Sequence, residues 1–483
     1  MVIDALKYQI LQQFGFVPTE EQGQALDAFA RFLTDRDPHA VMILRGSAGT
    51  GKTSLSGAIV RTLKAIRQKV MLLAPTGRAA KVFSLNSGCP AYTIHRRIYR
   101  EKSFAGVDGQ FNLNDNLFTD TLFMVDEASM ISNLGLGGGN FGSGCLLDDL
   151  VRFVYQGHND RLMLIGDKAQ LPPVGEEESP ALNRMMLEGY GLKVYECDLN
   201  EVLRQSQESG ILYNATVIRQ MITHDDITLL PLIRFKGFAD IVMMPGNELV
   251  ESLANSYYRV GQDETMVITR SNKRANIYNN GIRNMVLDRE EELSCGDMLM
   301  IVKNNYFWTE KERNEAKEAL NAIPPFLANG DRAKVLRVSR HMELYGFRFA
   351  TLLLQFPDYD NYEMSVTALL DTLQSEAPAL THEQQEQLFH GVEEDYQDVP
   401  LKADRMKAIR GDQYFNALQV KYAYAITCHK AQGGQWEHVY VDQGYMTDDM
   451  LTPDYIHWLY TAFTRAKDKL FLVNWPKTQT EQA

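Results

Sequence analysis

The chain is poor in cysteine, in long apolar runs and in net positive charge. Its five cysteines, Cys89, Cys145, Cys197, Cys295 and Cys428, are scattered, odd in number and never spaced as CxxC. That argues against a zinc ribbon or a disulfide frame and fits a reducing compartment, so the cytoplasm is the expected location. Apolar runs such as VMLLA (70–74) stop after a few residues, and no membrane span is expected. The opening stretch MVIDALKYQILQQFGF carries Asp4 and no long apolar core, so a cleaved signal peptide is not expected either. Lys and Arg number 49 against 62 Asp and Glu, for a net charge of −13. Phosphate contacts are made by Lys and Arg, so an acidic body speaks against loose, charge-driven coating of nucleic acid. A narrow basic groove on such a body stays compatible with it. No internal repeat of roughly 20 to 50 residues is evident.

What is present is a folded, soluble composition, 45% hydrophobic and 23% charged over 483 residues, too long for one ordinary core. The runs VMIL (41–44), VMLLA, TLFMV (121–125) and RLMLI (161–165) have strand length and no polar alternation, as expected for parallel strands buried on both faces. Between the first two, Leu55, Ile59, Leu63 and Ile66 fall on one helical face. The spacing predicts a doubly wound α/β lobe over 1–195. A polar stretch at 101–116 reads as a short insertion with turns, and the glycine-rich run NLGLGGGNFGSG (133–144) as a mobile loop. MVIT (266–269), HVYV (438–441) and LFLV (470–473) suggest a second α/β lobe, over 196–298 and 412–483. The segment 299–411 reads as an inserted subdomain with a helical part. FWTEKERNEAKEALNAI and YEMSVTALLDTLQ are expected to be helices.

GSAGTGKT (46–53) satisfies GxxxxGK[ST] directly after a strand and directly before a helix. Gly46, Ser47, Ala48, Gly49, Thr50 and Gly51 would curl backbone N–H groups around phosphate oxygens, helped by the helix N-terminus. Lys52 would reach the β and γ phosphates, and Thr53 would hold Mg²⁺. In TLFMVDEAS (121–129) an acid ends an apolar strand, which is costly unless something positive waits there. Asp126 is expected to bind Mg²⁺ and Glu127 to orient and deprotonate an attacking water. In RLMLIGDKAQLPPVG (161–175), Asp167 and Gln170 leave a strand of the same sheet, so Gln170 is placed to sense the γ-phosphate, with Pro172 and Pro173 stiffening the exit.

GSAGTGKT, APTGRAAK (74–81), TIHR (93–96), VDEASM (125–130), GDKAQLPPVG (166–175), LNEVLRQ (199–205), ITCHKAQGGQW (426–436) and YTAFTRAK (460–467) occur in that order. Together they resemble the motif series of superfamily 1 helicases, most closely the RecD-like, Dda-like and Pif-type branch, superfamily 1B. The resemblance runs from about residue 18 to residue 474. It implies two RecA-like lobes, the second carrying an SH3-like insertion, and an ATP- and Mg²⁺-dependent helicase moving 5′→3′ on single-stranded DNA. It implies that Gln22 contacts adenine, that Gly433 belongs to the nucleotide site, and that Arg204 and Arg465 reach the γ-phosphate from the second lobe. DNA is expected at Pro75, Thr76, Gly77, Thr93 and His95 on the first lobe and at Thr427, His429 and Lys430 on the second. HRRIYREK (95–102) adds Arg96, Arg97, Arg100 and Lys102, with Tyr99 and Phe104 as stacking faces. The same arginines also fit a solvated helix face.

Ala431 stands where many relatives carry serine, and the stretch 101–116 where they carry a strand-separating pin. The expected partners are single-stranded DNA and single-strand/duplex junctions, engaged by a monomer. RNA stays open, since no element that reads a base or a 2′-OH is evident. A translocase that displaces proteins without much unwinding is one alternative, and an ATP-gated protein-binding switch is another. Glu127, Arg204 and Arg465 argue against the switch, because a slow switch needs no full hydrolytic set.

Overall fold

Alternation along Ala40–Gly46 explains why the first sheet is covered on both sides. Val41 and Ile43 point into one buried cluster and Met42 and Leu44 into another, so the strand has no solvent face. In the computed structural model this strand, β1, is followed by β2 (Lys69–Ala74), β3 (Ala91–Thr93), the antiparallel pair β4 (Tyr99–Phe104) and β5 (Gly109–Leu113), β6 (Thr121–Val125), β7 (Arg161–Gly166) and β8 (Lys193–Leu199). The structure describes residues 2–104, 109–135, 142–201, 208–224, 229–315, 323–324 and 326–481. The expected mobile loop therefore lies partly outside the described residues, as do the tip of the 101–116 insertion and Arg204. The six-stranded sheet runs β3-β2-β6-β7-β1-β8 with parallel pairing throughout. Helices α1 (Val2–Phe14), α2 (Glu20–Thr34), α3 (Lys52–Ala65), α4 (Gly77–Ser87), α5 (Ile94–Ile98), α6 (Leu146–Gln156) and α7 (Arg184–Gly189) belong to this lobe. The lobe does not end at 195, because β8 pairs with β1 up to Leu199. Arg45 of β1 fixes that edge with bonds to Asp198 (2.6 Å) and Glu196 (2.8 Å).

The second lobe begins with α8 (Gly210–Thr223), β9 (Ile241–Met244), α9 (Leu249–Arg259), β10 (Thr265–Thr269) and α10 (Asn272–Gly281). After an insertion it resumes with β16 (Ala425–Thr427), α14 (Cys428–Ala431), β17 (Trp436–Asp442), α15 (Pro453–Phe463) and β18 (Ala466–Val473). Its sheet is also parallel, in the order β16-β10-β17-β18-β9. The insertion is a closed barrel of β11 (Met298–Ile301), β12 (Arg332–Leu344), β13 (Phe347–Phe356), β14 (Tyr362–Leu369) and β15 (Leu418–Tyr422). It therefore reaches past 411. The barrel and the second lobe share one buried cluster, so they are packed as a unit.

Within the insertion, α11 (Phe307–Glu315) forms where a charged helix was expected; the rest of that stretch reaches outside the described residues. YEMSVTALLDTLQ is not a helix. Met364, Val366 and Ala368 turn inward at period two along β14, and the apolar residues after them belong to a short 3₁₀ turn, Leu370–Thr372. The helical part consists of α12 (His382–Asp395) and α13 (Lys402–Arg410), whose Leu388, Phe389, Val392 and Ile409 pack on Phe347, Phe349 and Leu369 of the barrel. No helix among the described residues is long and apolar enough to cross a membrane.

Candidate functional site

The loop after β1 turns onto α3 through Gly49 (φ 78°) and Gly51 (φ 80°), left-handed positions that favour glycine. A side chain at Gly46 would lie 2.8 Å from Thr50 Oγ1 and 3.0 Å from Lys52 Cδ, so the loop closes tightly around that glycine. Lys52 Nζ donates to the carbonyls of Gly46 and of Ser47, the latter at 2.9 Å. Thr53 is exposed at the start of α3, beside the N–H groups that have no partner within the helix. Gln22 is buried behind the loop. Its Oε1 accepts from Thr19 N–H (3.0 Å) in the capping box of α2, and its Nε2 donates to Thr50 O (2.9 Å). In this structure the amide thus tethers the loop to α2.

At the end of β6, Asp126 Oδ1 accepts the Glu127 N–H at 2.9 Å. Burial pushes the Asp126 carboxyl up to about 7, and the neighbouring Glu127 charge adds to the shift. Glu127 adopts a left-handed backbone, φ 52°, which costs a non-glycine residue about 1 kcal/mol or more and recurs at functional sites. No group of three or more His, Cys, Asp or Glu side chains suited to a metal occurs among the described residues. The Asp126 carboxylate and the Thr53 hydroxyl are the oxygen donors that would hold a cation beside a bound nucleotide. The donor set fits that role, since a buried carboxylate whose ionisation burial opposes is stabilised as the anion by a nearby positive ion.

β7 delivers Asp167 and Gln170 to the boundary with the second lobe. Asp167 Oδ1 accepts from Ala169 N–H (2.9 Å), and Oδ2 accepts from the Tyr460 hydroxyl (2.6 Å). Tyr460 also accepts the Ala48 N–H of the phosphate loop at 3.0 Å. Leu171 N–H donates to Thr461 Oγ1 (2.8 Å), and Gln432 Nε2 donates to Leu171 O (2.8 Å). Ala169 and Leu171 are buried in the second lobe's own core. Gln170 is buried, with an Oε1 that has no hydrogen-bond partner. Pro172 and Pro173 leave a loop already held by the opposite lobe.

Arg465 follows α15 and is 3% exposed. Its guanidinium donates to Thr461 O (3.0 Å), Gly434 O (3.1 Å) and Thr464 Oγ1 (3.1 Å), oxygens that leave its charge unneutralised. It lies one helical turn beyond Thr461 and Tyr460, the residues that touch the first lobe. Two residues here escaped the sequence reading. Tyr460 sits inside a quoted motif but joins partners far away in sequence. Arg219 of α8 has a buried Nε with no partner and lies near enough to Tyr460 for its charge to oppose the rise of that phenol's pKa. Burial and Asp167 still hold the phenol well above its ordinary value.

The expected DNA residues form two groups. Thr76 caps α4 by accepting from Ala79 N–H (3.2 Å), and Thr93 caps α5 by accepting from Arg96 N–H (3.4 Å). Burial pushes His95 down to about 4, so it is neutral at neutral pH. Thr427, His429 and Lys430 lie at α14, where burial lowers His429 and brings Lys430 down to about 8. Lys430 Nζ is buried without a partner, and Lys421 of β15, also near 8, reinforces its shift.

Gly433 joins the two groups. At φ 72° its Cβ position would be 3.2 Å from Thr76 Oγ1 and 3.0 Å from Ala79 Cβ, so it packs on the start of α4 rather than on the phosphate loop. The connection from β11 to β12 closes on Gly77, where a Cβ would be 2.9 Å from both Ala328 Cβ and Asp331 Oδ1, and Pro75 beside it is half-buried. Arg78 adds a bond to Gln435 O (3.1 Å) and stacks 4.5 Å over Trp436. In HRRIYREK only the first residues are helical. Arg100 and Lys102 lie on β4, and Tyr99 is a core residue that donates to Asp149 at 2.8 Å, not a stacking face.

Two family models match the chain, the AAA domain over residues 19–226 and the UvrD-like helicase C-terminal domain over residues 422–473. The chain is 31% identical over 157 residues to the ATP-dependent RecD2 DNA helicase of Deinococcus radiodurans, across 32% of this chain and 18% of that protein. It is 33% identical over 171 residues to an uncharacterized protein of Methanocaldococcus jannaschii, across 33% of this chain and 14% of the other. It thus spans less than a fifth of either relative's length. A crystal structure of Pif1 helicase from Bacteroides, in complex with ADP-AlF3 and ssDNA, aligns with 97% of this chain and 95% of that one, at 13% identity and a TM-score of 0.47.

Proposed function

The chain belongs to the RecD/Pif-like branch of the superfamily 1B helicases, and on that premise we propose that it is an ATP-driven motor that walks on single-stranded DNA and separates strands. The observation that carries this reading is the junction at Tyr460, where the phosphate loop, Asp167 and the second lobe meet through one hydroxyl. A nucleotide in the loop of Gly46–Thr53 is then held where the lobes close.

Lys52 leaves its carbonyl partners for the β and γ phosphates. Glu127 takes a proton from the attacking water, and Arg465, joined by Arg204, offsets charge on the γ oxygens. Thr53 and Asp126 would hold Mg²⁺, which when bound neutralises charge on the β and γ oxygens. Gln170, with its free carbonyl oxygen and its place beside Asp167, senses whether the terminal phosphate is attached.

The strand lies along Thr76, Thr93 and His95 on one lobe and Thr427, His429 and Lys430 on the other. Cap N–H groups and the buried Lys430 amine meet its phosphates. Closure on ATP and reopening after hydrolysis change the spacing of these two grips, and unequal grip turns the change into a step. The family resemblance supports 5′→3′ movement. The test is unwinding of duplexes with a single 5′ or 3′ tail: the proposal requires unwinding from the 5′ tail, and unwinding from the 3′ tail alone overturns the assigned direction.

A further inference from the structure

The inner face of α15 carries His457, Tyr460 and Thr461 at the i, i+3, i+4 spacing that puts three side chains side by side. All three grip the loop after β7. His457 Nδ1 donates to Ala169 O at 2.9 Å, Tyr460 donates to Asp167, and Thr461 accepts from Leu171. Of the three, Tyr460 alone also holds a phosphate-loop amide. That amide belongs to Ala48, four residues before Lys52, at the part of the loop that meets the second lobe. This is the side on which a terminal phosphate must lie if Arg465 is to reach it.

We infer that Tyr460 is a positioning residue that couples γ-phosphate occupancy to lobe contact, because its hydroxyl oxygen and a γ-phosphate oxygen compete for the same Ala48 N–H. The inference rests on the nucleotide-binding reading of the phosphate loop. A phosphate oxygen is anionic and forms a hydrogen bond roughly twice as strong as a neutral phenol oxygen does, so it wins the amide. Tyr460 has a single proton and has given it to Asp167, so it cannot follow by donating to the phosphate. Arrival of the terminal phosphate therefore exchanges the Tyr460 hook on the phosphate loop for a phosphate that Arg465 can grip, so the lobes stay closed through the nucleotide while the second lobe keeps its hold on Asp167–Leu171. Loss of that phosphate restores the hook. A diphosphate, ending short of this position, leaves Tyr460 in place.

The test compares binding of a fluorescent non-hydrolysable ATP analogue and of fluorescent ADP to the full chain, to Tyr460→Phe and to Thr461→Val. Phenylalanine keeps the ring and removes only the competing oxygen. Thr461→Val breaks a bond between the lobes that does not involve the phosphate loop. Tyr460→Phe is expected to bind the triphosphate analogue about fivefold more tightly, the factor one neutral hydrogen bond is worth. ADP binding should stay within about twofold, and Thr461→Val should give no tightening. Unchanged or weaker triphosphate binding by Tyr460→Phe overturns the inference, as does equal tightening by Thr461→Val. Should Tyr460→Phe not fold, Asp167→Asn serves instead: it weakens the acceptor of the tyrosine's hydrogen bond and so makes the phenol oxygen a poorer competitor for the amide. Selective tightening of the triphosphate is again expected, and its absence counts against the coupling. An unsubstituted chain that binds neither nucleotide overturns the reading of the phosphate loop itself, a separate outcome.

Discussion

The Tyr460 hydroxyl donates to Asp167 Oδ2 at 2.6 Å, joining residues 293 positions apart on opposite lobes. Around it, Ala169 and Leu171 are sunk into the second lobe's core and Gln432 holds the Leu171 carbonyl. The loop after β7 is therefore built into the lobe contact, and a change at the nucleotide is transmitted through atoms already touching. A plain surface turn would bury neither Gln170 nor Leu171.

Lys52→Ala should abolish ATP hydrolysis, because Lys52 is the lysine of the phosphate-loop motif that reaches the β and γ phosphates. Glu127→Gln should still bind ATP but lose about 10²- to 10⁴-fold in turnover, the usual contribution of a positioned base. Arg465→Ala should cost about 10³-fold or more, and Arg465→Lys should not recover it, since lysine cannot span Thr461 O, Gly434 O and Thr464 Oγ1 together. Steady-state phosphate release measures all of these, and turnover preserved in Glu127→Gln would remove that residue as the base.

Gly433→Ala should weaken binding of single-stranded DNA more than binding of nucleotide. The substitution places a methyl group 3.0 Å from Ala79 Cβ and 3.2 Å from Thr76 Oγ1, in a left-handed backbone that itself costs alanine about 1 kcal/mol. Fluorescence anisotropy with a labelled oligonucleotide reads the DNA effect. Selective loss of ATP affinity instead would return Gly433 to the nucleotide site.

Asp331, at the junction of the barrel with α4, is raised to about 7 by burial, although it accepts from Ala328 N–H and the Tyr359 hydroxyl, each at 2.7 Å. Because the folded carboxyl titrates above its unfolded value, ionising it costs stability. The cost is absent below about pH 4, grows between about 4 and 7, and is full above 7. Asp331→Asn keeps an oxygen for both donors and carries no charge. Its melting temperature relative to the unsubstituted chain should therefore rise as pH goes from about 4 to about 8. At roughly 1.4 kcal/mol per pKa unit, the gain is a few kcal/mol at most. A difference that stays flat with pH would show the carboxyl to be unshifted.

Deleting residues 103–114 removes most of the β4–β5 hairpin, which stands outside the main sheet. DNA-stimulated hydrolysis should persist while unwinding is lost. Loss of both together would make the hairpin part of the strand grip rather than a wedge.

Much of the site is legible in local spacing. The phosphate loop follows a strand and opens a helix, and Asp126 follows the apolar run LFMV, so the pattern puts both at the carboxyl ends of parallel strands in one sheet. The barrel's β14 misled because Met364, Val366 and Ala368 run directly into the apolar turn at Leu370–Thr372, and the two patterns together imitate a helical stripe. Gly433 was drawn toward the nucleotide by its motif, whereas its neighbour is fixed by how the lobes dock. Tyr460 and Arg219 were invisible for the same reason: a phenol and a guanidinium acquire meaning only when a distant loop arrives against them. Lys430 is the intermediate case, named from its motif while its burial beside Lys421 came from strand pairing in the barrel.

The most direct measurement is the rate of ATP hydrolysis with and without single-stranded DNA at saturating Mg²⁺. A motor whose nucleotide lies between two strand-gripping lobes predicts many-fold acceleration by DNA, abolished by Lys52→Ala. An equal rate with and without DNA, from a protein that binds both ligands, would contradict it.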